Sequence, residues 1–374
     1  MKHPDFLPTG KPTVSAKRSW GELPPSERLG VGVVGLHEGH TMLVALRASG
    51  MCRAVGGCDV SEEKRLEAQD AVPGLFVTAD YDELLGRPDV DIVAIYTPDH
   101  LHAAQIMAAF EAGKHVICTK PLVNDASVAK ELLSVGASTG KRLQVGQSTR
   151  FYEPFIRQRE LLENRTLGEV ECYDAHYHHR MDWYYEKSPW VIDHTHWAFL
   201  GLSHPVDLVR WYLGDIEEVQ AMGSLSQLGC KFGLKNPDII SVNLLSSEGK
   251  IGRAFGHYGV TELSLGRSLI EGVLMGSLGT SIARYPDLKH TWVASDGIER
   301  DEDYGHLYVG YHYRHELKGM HYGEFCNIAD SFAAAIVGDR PNSPDLAEGL
   351  QTVLVMDAVV KALETNSTVK VPRL

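Results

Sequence analysis

A glycine turn and an acidic residue stand in an order that suits the binding of a dinucleotide. Gly35 ends a short β-branched run at 31–34, and Asp59 ends the next apolar run, after a segment with helical spacing at 41–49. A dinucleotide site needs a tight strand-to-helix turn, a helix N-terminus aimed at the pyrophosphate and a carboxylate for the adenosine ribose. Residues 29–59 supply these three features in that order.

The turn departs from the usual pattern of three glycines, G-x-G-x-x-G. His37 and His40 stand where the second and third glycines belong, with Glu38 and Gly39 between them. The second glycine normally lets the backbone approach the pyrophosphate, so a histidine there either pushes the phosphates outward or contacts them. An α/β crossover that binds no nucleotide is the alternative interpretation of this stretch.

The composition argues against several kinds of function. The chain has 374 residues, of which 44% are hydrophobic and 23% charged, and its formal net charge is -13. The length favours two domains, and the negative charge argues against binding to nucleic acid or to an anionic membrane. Six scattered cysteines without a C-x-x-C pair are typical of reduced thiols in the cytoplasm. We find no apolar run that could span a membrane and no secretory signal.

Strands and helices alternate between residues 29 and 150. Strands are predicted from the apolar runs 31–34, 53–58, 91–95, 115–118 and 142–145, with helices between them. This rhythm indicates a doubly wound parallel sheet of the Rossmann type, whose ligand crevice lies at the carboxyl ends of its strands. The residues predicted at these ends are Gly35, Asp59, Thr97, Lys120 and Gln147.

The pattern changes at about residue 151. Helices are predicted at 151–164, 203–213, 321–337 and 344–364, and longer alternating strands at 168–178, 216–227, 238–246, 250–259, 267–276 and 279–284. A polar, aromatic loop is predicted up to residue 193. The alternation and a short hairpin link at 247–249 indicate a mostly antiparallel sheet.

The predicted fold class is therefore α/β followed by α+β. An extended N-terminal arm (1–28) precedes a dinucleotide-binding Rossmann domain (29–150) and a second domain with a mostly antiparallel sheet (151–374). The arm is either a disordered tail or a segment that packs on a partner subunit or over the cofactor cleft.

Histidines and aromatic residues cluster near the start of the second domain. His176 and His178 point to one face of a strand and His179 to the other. With Asp193 or His194, the first two could ligate zinc, but this spacing matches no known metal motif and we assign no metal. A polar cleft for sugar hydroxyls is the preferred interpretation, and surface histidines are the alternative. The aromatic residues, which would stack on sugar rings or pack in a subunit interface, are Trp183, Tyr184, Tyr185, Trp190 and Trp197.

Several segments together resemble the glucose–fructose oxidoreductase, inositol dehydrogenase and rhizopine-catabolism (Gfo/Idh/MocA) family. The most specific is AGKHVICTKP at 112–121, which is similar to the family's A-G-K-H-V-x-x-E-K-P. The other matching segments are VVG at 33–35, the strand end at Asp59, TPDHLH at 97–102, GQ-x-x-RF at 146–151 and SHPVDL at 203–208. The resemblance covers about residues 30–374.

The resemblance implies a Rossmann domain followed by a domain with an open, mostly antiparallel sheet that makes dimer or tetramer contacts. The final helices would pack near the first domain. It also implies a homo-oligomer that transfers a hydride between a nicotinamide cofactor and a sugar, polyol, glycoside or sugar-derived acid.

The resemblance also implies roles for individual residues. Lys120 would lie beside the nicotinamide and hydrogen-bond the developing alkoxide, and His204 would be the second catalytic residue, a general base. Asp59 favours NAD over NADP, because a carboxylate repels the 2′-phosphate. The cofactor-side candidates are Gly35, His37, Glu38, Gly39, His40, Asp59, Thr97, Pro98, His102, Thr119, Lys120 and Gln147. The substrate-side candidates are Arg150, His178, Trp190, Asp193, His194 and Asp207.

Two positions depart from the family pattern. Thr119 stands where members usually carry glutamate, and Leu200 stands where many carry aspartate, four residues before the histidine. Without that carboxylate His204 would lose an orienting partner. The candidates to replace it are Asp193, His194, His196 and Asp207. A redox-neutral enzyme with tightly bound NAD (a glycosidase, an epimerase or a lyase-like enzyme) and a non-catalytic dinucleotide-binding sensor are the alternative functions.

Overall fold

The computed structural model describes residues 18–264, 266–307, 321 and 323–374. The described chain forms two compact units. The N-terminal unit comprises the described residues of 18–151 and 310–351, and the C-terminal unit comprises those of 152–309 and 352–373. Residues 1–17 of the predicted arm lie outside the described residues, and the domain boundaries at 28 and 150 stay a prediction.

The regular elements are numbered in chain order. The strands are β1 Leu29–Val34, β2 Cys52–Cys58, β3 Phe76–Thr78, β4 Ile92–Ile95, β5 His115–Thr119, β6 Leu143–Gly146, β7 Val170–His179, β8 Ile216–Ser224, β9 Ile239–Ser246, β10 Ile251–His257, β11 Ser268–Gly276, β12 Gly279–Tyr285, β13 Lys289–Val293, β14 Glu299–Asp303 and β15 Val369–Lys370. The helices are α1 Gly39–Ala45, α2 Glu62–Ala71, α3 Tyr81–Leu85, α4 His102–Glu111, α5 Ala129–Thr139, α6 Glu153–Glu163, α7 Asp182–Lys187, α8 Trp190–His194, α9 Trp197–Leu200, α10 Ser203–Leu213, α11 Gln227–Phe232, α12 Glu324–Val337 and α13 Leu346–Thr365.

A parallel sheet forms the centre of the N-terminal unit. Within the described residues its strands follow the order β3-β2-β1-β4-β5-β6, and every neighbouring pair is parallel. The predicted doubly wound sheet is confirmed. The helix α12 belongs to this unit, because Phe325, Ile328 and Phe332 pack in the same core as Val31 and Met42.

A mixed, mostly antiparallel sheet forms the C-terminal unit. Its described strands follow the order β14-β13-β12-β11-β7-β10-β9-β8-β15. Among these pairs β7 and β10 are parallel, and the others are antiparallel. The predicted class of sheet is confirmed, and the predicted helix 203–213 coincides with α10.

Two predictions for the C-terminal unit are wrong in detail, and two strands were missed. The strand predicted at 216–227 ends at Ser224, because Ser226 caps α11 by accepting a hydrogen bond from the Gly229 amide at 2.9 Å. The predicted loop before residue 193 contains the short helices α7 and α8, which bury Tyr185 and Val191. The strands β13 and β14 were not predicted. Elements this short depend on tertiary packing, which sequence periodicity does not show.

The helix α10 covers one face of this sheet. The Tyr173 ring on β7 stacks on Tyr212 of α10 with centroids 4.1 Å apart. Gly252 of β10 allows the close approach, because a Cβ atom there would lie 2.4 Å from the Val209 side chain. Side chains alternate along β7, so Tyr173 and Tyr177 point toward α10. His176 and His178 point toward the opposite face.

A buried hydrogen-bonded chain joins β12, β13 and β14. Ser281 Oγ lies 2.6 Å from His290 Nε2, and His290 Nδ1 lies 2.9 Å from Glu302 Oε2. The Tyr304 hydroxyl donates to the same carboxylate oxygen at 2.9 Å. This is the residue order of a catalytic triad, but Ser281 is only 1% exposed. A substrate cannot reach that hydroxyl, so the chain of hydrogen bonds stabilises the strands.

The variant Glu302→Gln tests this stabilisation. Burial alone would raise the pKa of the Glu302 carboxyl, but hydrogen bonds from His290, Tyr304 and Trp292 hold the pKa at about 2. An unfolded glutamate has a pKa of about 4.3. The carboxylate therefore stabilises the unit fully above about pH 5 and loses this contribution as the pH falls toward about 2.

We expect Glu302→Gln to lower the free energy of unfolding by about 2 kcal/mol near pH 7 and by about half as much near pH 3. Urea denaturation at both pH values measures the difference. Glu299→Gln, at an exposed position on the same strand, is the matched control. An equal loss for Glu302→Gln at both pH values would contradict the ionised role of this carboxyl.

Candidate functional site

The candidate cofactor residues of the N-terminal unit lie at one edge of its sheet. Gly35 follows β1, Asp59 follows β2, and Gln147 follows β6. Thr119 ends β5, and Lys120 comes next. Because all strands of this sheet are parallel, their carboxyl ends lie along the same edge, where α/β proteins bind ligands.

The glycine turn is shaped by two close approaches of the backbone. Gly35 has φ +82°, and a Cβ atom there would lie 2.7 Å from backbone atoms of Tyr96 and Thr97. At Gly39 a Cβ atom would lie 2.6 Å from Val33 Cγ1. Gly39 thus provides the close helix–strand packing that the third glycine usually provides, one position earlier than the three-glycine spacing. The turn does not need a glycine at residue 40 for this packing.

The Asp59 carboxylate is fixed by the glycine turn and by the start of α2. Its Oδ2 atom accepts a hydrogen bond from the Leu36 amide at 2.7 Å, and its Oδ1 atom accepts one from the Ser61 amide at 2.8 Å. A carboxylate has about four acceptor positions, so these two bonds orient the group and leave acceptor capacity for a ligand hydroxyl. In the turn itself, His37 Nε2 lies 4.0 Å from Glu38 Oε1.

Lys120 is a lysine with an altered acidity. Burial lowers the pKa of its ammonium to about 8, and the negative charges of Glu38 and Asp99 oppose this effect. A group with a pKa near neutral can both donate and release a proton at working pH. Thr119 leaves no carboxylate at the usual family position, so the negative charges near Lys120 come from the glycine turn and from the turn after β4.

The side chain of His102 contacts backbone carbonyl oxygens at the same edge of the sheet. His102 is 1% exposed, and its Nε2 atom lies 2.8 Å from the Thr97 carbonyl oxygen. Its Nδ1 atom lies 3.0 Å from the Pro121 carbonyl oxygen. Pro98 precedes a 3₁₀ turn, Asp99–Leu101, that leads into α4. His102, predicted on the cofactor side, therefore contacts two of the strand-end turns directly.

Sequence reasoning missed a histidine–glutamate pair at the start of α12. His321 Nδ1 is hydrogen-bonded to Glu324 Oε1, and the His321 ring stacks on Phe325 at 4.4 Å. Burial alone would lower the pKa of His321, but the Glu324 carboxylate raises it. The charges of Glu38 and Lys120 also act on this imidazole, so the pair faces the Lys120 edge. The only signal in the sequence is a histidine three residues before a glutamate, which is common at helix starts.

Arg150 points its guanidinium into the N-terminal unit itself. Its Nη1 atom donates to Ser343 Oγ at 3.1 Å and to Glu348 Oε1 at 3.3 Å. Arg150 is 4% exposed, so these contacts join the residues after β6 to the start of α13. A substrate-side role for Arg150 stays a prediction.

His204 lies in the first turn of α10 and is 4% exposed. Its ring meets the Tyr177 ring edge-on, with centroids 5.4 Å apart. Leu200, at the position where many relatives carry aspartate, is buried in α9. His204 therefore packs against an aromatic ring of β7, and its nearest acidic candidate along α10 is Asp207.

Two of the candidates to replace that aspartate make hydrogen bonds with other residues. Asp207 is fully buried, and its Oδ1 atom accepts a hydrogen bond from Thr352 Oγ1 at 3.4 Å. The His196 Nδ1 atom accepts a hydrogen bond from the Ala198 amide at 2.9 Å and caps α9. Burial lowers the pKa of His196 to about 4, so this ring is neutral at pH 7.

The alternation along β7 separates His178 from His204. The Tyr177 ring meets His204 and also lies 5.7 Å from the His179 ring. His178 points to the other face, where it lies near His176 and Phe255. Burial and the nearby His176 lower the pKa of His178. The histidine of β7 that shares the face of His204 is His179, which the sequence analysis did not place on the substrate side.

The other substrate-side candidates lie in one short helix. Trp190, Asp193 and His194 belong to α8, where Trp190 is half-buried and His194 is exposed. Among the described residues, no group of three histidine, cysteine, aspartate or glutamate residues is arranged to hold a metal ion. None of the six cysteines forms a disulfide, and no helix in the described ranges is long and apolar enough to cross a membrane.

The parallel sheet, the glycine turn and the strand-end carboxylate define a protein of the Rossmann class that binds dinucleotides. Residues 29–147 match the oxidoreductase family with an NAD-binding Rossmann fold, and residues 155–262 match the Gfo/Idh/MocA C-terminal domain. The chain therefore belongs to the Gfo/Idh/MocA family.

Relatives and solved structures agree with this membership. The inositol 2-dehydrogenase of Mycolicibacterium gilvum is 32% identical over 221 residues, which cover 58% of this chain and 60% of that protein. The levoglucosan dehydrogenase of Pseudarthrobacter phenanthrenivorans is 27% identical over 335 residues, covering 79% of this chain and 84% of that protein. The matched part of the chain thus spans less than two thirds of the length of the inositol dehydrogenases.

The fold is also similar to that of solved structures. A levoglucosan dehydrogenase in complex with NADH and levoglucosan has a TM-score of 0.79 at 23% identity, and the match covers 93% of this chain and 100% of that one. An oxidoreductase from Agrobacterium radiobacter in complex with NAD+, L-tartaric acid and magnesium has a TM-score of 0.79 at 18% identity, with 92% and 98% covered. At these identities the likeness shows the fold.

Gly35→Ala tests the close approach at the glycine turn. We expect this variant to lower the free energy of unfolding by about 3 kcal/mol, from the strained backbone and from the contact with the Tyr96–Thr97 backbone. Gly74→Ala is a matched control, because Gly74 also has φ +82° but no atom of a described residue lies within 4 Å of an added Cβ.

We expect Gly74→Ala to cost about 1 kcal/mol, the effect of the backbone conformation alone. Urea denaturation of the two variants separates the two contributions. A similar loss in both would mean that contact with the Tyr96–Thr97 backbone is not what requires glycine at residue 35.

Proposed function

We propose that this chain is an NAD-dependent oxidoreductase that transfers a hydride between nicotinamide and a CH–OH group of a sugar, glycoside or sugar-derived acid. The observation that carries the proposal is the position of Lys120 directly after the carboxyl end of β5, and the lowering of its pKa to about 8 agrees with it. Lys120 shares a sheet edge with the glycine turn and with Asp59. The similarity to proteins named inositol 2-dehydrogenase and levoglucosan dehydrogenase supports a carbohydrate-like substrate.

The residues at this edge fit NAD. Asp59 is oriented by two backbone amides and suits the adenosine ribose hydroxyls. Gln147 is 3% exposed, and no described residue donates a hydrogen bond to its Oε1 atom. A buried acceptor in this state costs stability unless a ligand pairs with it, so Gln147 supports a bound group with a donor. The remaining residues proposed to line the cofactor are Gly35, His37, Glu38, Gly39, His40, Thr97, Pro98, Thr119 and Lys120.

Bound NAD would supply the acceptor or donor of the hydride, and this chain would handle the proton. The Lys120 ammonium would hydrogen-bond the reacting oxygen and stabilise negative charge that develops on it. In the direction of carbonyl reduction it would deliver a proton to that oxygen. His204 would hold or accept a proton as the second catalytic group, with Tyr177 fixing the orientation of its ring.

The structure favours some of the substrate-side candidates over others. Trp190, Asp193, His194 and Asp207 are proposed to contact the substrate or to orient His204. Arg150 and His178 have weaker support, because the former is bonded within its own unit and the latter lies across the sheet from His204.

We further propose a homo-oligomer that assembles through the face of the C-terminal sheet opposite α10. This face carries exposed apolar side chains, among them Met222 (77% exposed) and Ile251 (56% exposed), and exposed apolar patches of this kind mark protein interfaces.

A cytoplasmic location is supported by the absence of disulfides among the six cysteines.

The two catalytic assignments are tested by Lys120→Ala and His204→Ala. We expect kcat/KM on the true substrate to fall about 1,000-fold for the first and about 100-fold for the second, in an assay of NADH. Lys130→Ala, at an exposed position of α5, is the control and should retain wild-type activity. Unchanged turnover in both catalytic variants would overturn the assignment.

The acidity of Lys120 makes a prediction about pH. Carbonyl reduction needs the protonated lysine, whose pKa is lowered to about 8, so kcat/KM for reduction should fall as the pH rises through about 8. Lys120→Arg stays protonated throughout and should lack this decline, even if its overall rate is low. A decline that persists in Lys120→Arg would assign it to another group.

One measurement separates the proposal from its alternatives. The purified protein is denatured and any released nucleotide is identified by mass spectrometry, with NAD and NADP titrations on the same preparation. Bound NAD with net NADH formation supports the dehydrogenase, whereas turnover of a glycoside without net NADH supports the redox-neutral enzyme. Binding of NAD without turnover of any carbohydrate supports the sensor.

A further inference from the structure

One imidazole connects two turns at the carboxyl edge of the N-terminal sheet. The Nε2 atom of His102 lies 2.8 Å from the carbonyl oxygen of Thr97, in the turn after β4. The Nδ1 atom lies 3.0 Å from the Pro121 carbonyl oxygen and 3.1 Å from that of Leu122, in the turn after β5. The second of these turns carries Lys120.

Other side chains tie the same turns. Asn124 Nδ2 donates a hydrogen bond to Asp99 Oδ1 at 3.1 Å, which again joins the segment after β5 to the turn after β4. The Thr97 hydroxyl donates to Gln105 Oε1 at 2.5 Å. Gln105 and His102 both lie on α4, so the turn after β4 is held by this helix, and the helix holds the turn after β5.

The ring of His102 faces acceptors on both sides. A neutral imidazole has one N–H donor, whereas an imidazolium has two. Burial lowers the pKa of His102, and the surrounding carbonyl oxygens and the Asp99 carboxylate oppose that effect. The imidazolium donates a hydrogen bond to both turns, whereas the neutral ring donates to one turn and packs its other nitrogen against the second. The two nitrogen atoms of this one ring thus lie against carbonyl oxygens of both turns.

We propose that His102 is a positioning residue for Lys120, which clamps the turn 120–122 to the turn after β4 and keeps the lysine ammonium in its half-buried place. The proposal rests on the proposed role of Lys120 in catalysis. The physical reason is that a lysine side chain is long and strongly hydrated, so a turn that is free to move would let its ammonium return to water. The lowered pKa of Lys120 agrees with a turn held in position.

The clamp predicts that the acidity of Lys120 depends on His102. Competitive labelling with acetic anhydride between pH 6 and pH 11, followed by peptide mass spectrometry, reports the titration and accessibility of each lysine. Exposed Lys130 and Lys361 are internal references. In the wild-type protein the midpoint for Lys120 should lie near pH 8, as its pKa of about 8 requires.

We expect His102→Leu to move this midpoint upward by about one pH unit or more and to raise the labelling rate of Lys120 at its plateau about tenfold. His102→Gln keeps one donor and should give a smaller shift. His100→Gln, in the same turn at a side chain that is 41% exposed, is the matched control and should leave Lys120 unchanged. A folded His102→Leu variant with the wild-type titration of Lys120 would overturn the proposal.

A second variant covers the case in which His102→Leu does not fold. The double variant His102→Gln/Asn124→Ala replaces the imidazole ring and also removes the hydrogen bond from Asn124 to Asp99, which is the second contact between the two turns. An upward shift of about half a pH unit or more supports the clamp, and an unchanged midpoint in the folded double variant overturns it.

The labelling needs no turnover, so it separates this proposal from the proposed function. A shifted Lys120 midpoint together with no activity on any carbohydrate would keep the clamp and reject the oxidoreductase. Where activity is measurable, the decline of kcat/KM for reduction with rising pH should occur at a higher pH in His102→Gln, in step with the labelling midpoint of Lys120. If His102 only stabilised the fold, its substitution would lower the melting temperature without changing the pH at which the reduction rate declines.

Discussion

The candidate site depends on a close contact between backbone segments at the edge of a parallel sheet. Gly35 lies against the Tyr96–Thr97 backbone with no space for a side chain. Thr97 is in turn bonded through its carbonyl oxygen to His102, whose other nitrogen faces Pro121. Three strand-end turns that are far apart in the sequence are thus linked by direct contact, and the position of Lys120 follows from that linkage.

The charges around Lys120 balance two opposing effects. Burial of an ammonium is unfavourable unless a negative group compensates it, and Glu38 and Asp99 provide that compensation. A stronger negative charge beside Lys120 would keep its ammonium protonated at all working pH values, and a weaker one would let it lose its proton. The His321–Glu324 pair extends this network of charges, since a buried glutamate is itself stabilised by a hydrogen bond from an imidazole.

Much of this architecture could be predicted from sequence because its elements are long and periodic. The strands β1, β2 and β4 end where the predicted apolar runs end, and β5 and β6 end one residue later. The helix α10 matched its predicted bounds at residues 203 and 213. The short helices α7 and α8 could not be predicted, since their few buried residues show no helical period. The strand β14 at the edge of the C-terminal sheet and its neighbour β13 were missed as well.

The residues of the site were predictable to a smaller extent. Strand ends placed Asp59 and Lys120 on one edge, and a period of two placed His176 and His178 together. The face of β7 that meets His204 depends on the packing of α10, and the approach of α12 to the edge of Lys120 depends on a contact between distant segments of the chain. No local pattern contains that information, which explains why His321 was missed.

The position of Gly39 bears on how such proteins are found. The glycine that allows the helix to approach the strand stands one residue away from where the consensus spacing requires it. A pattern search that demands three glycines at fixed intervals would pass over this chain. A search for backbone positions with no volume for a Cβ atom would recover it, because what the fold requires is an empty space beside Val33 and not a particular count of residues.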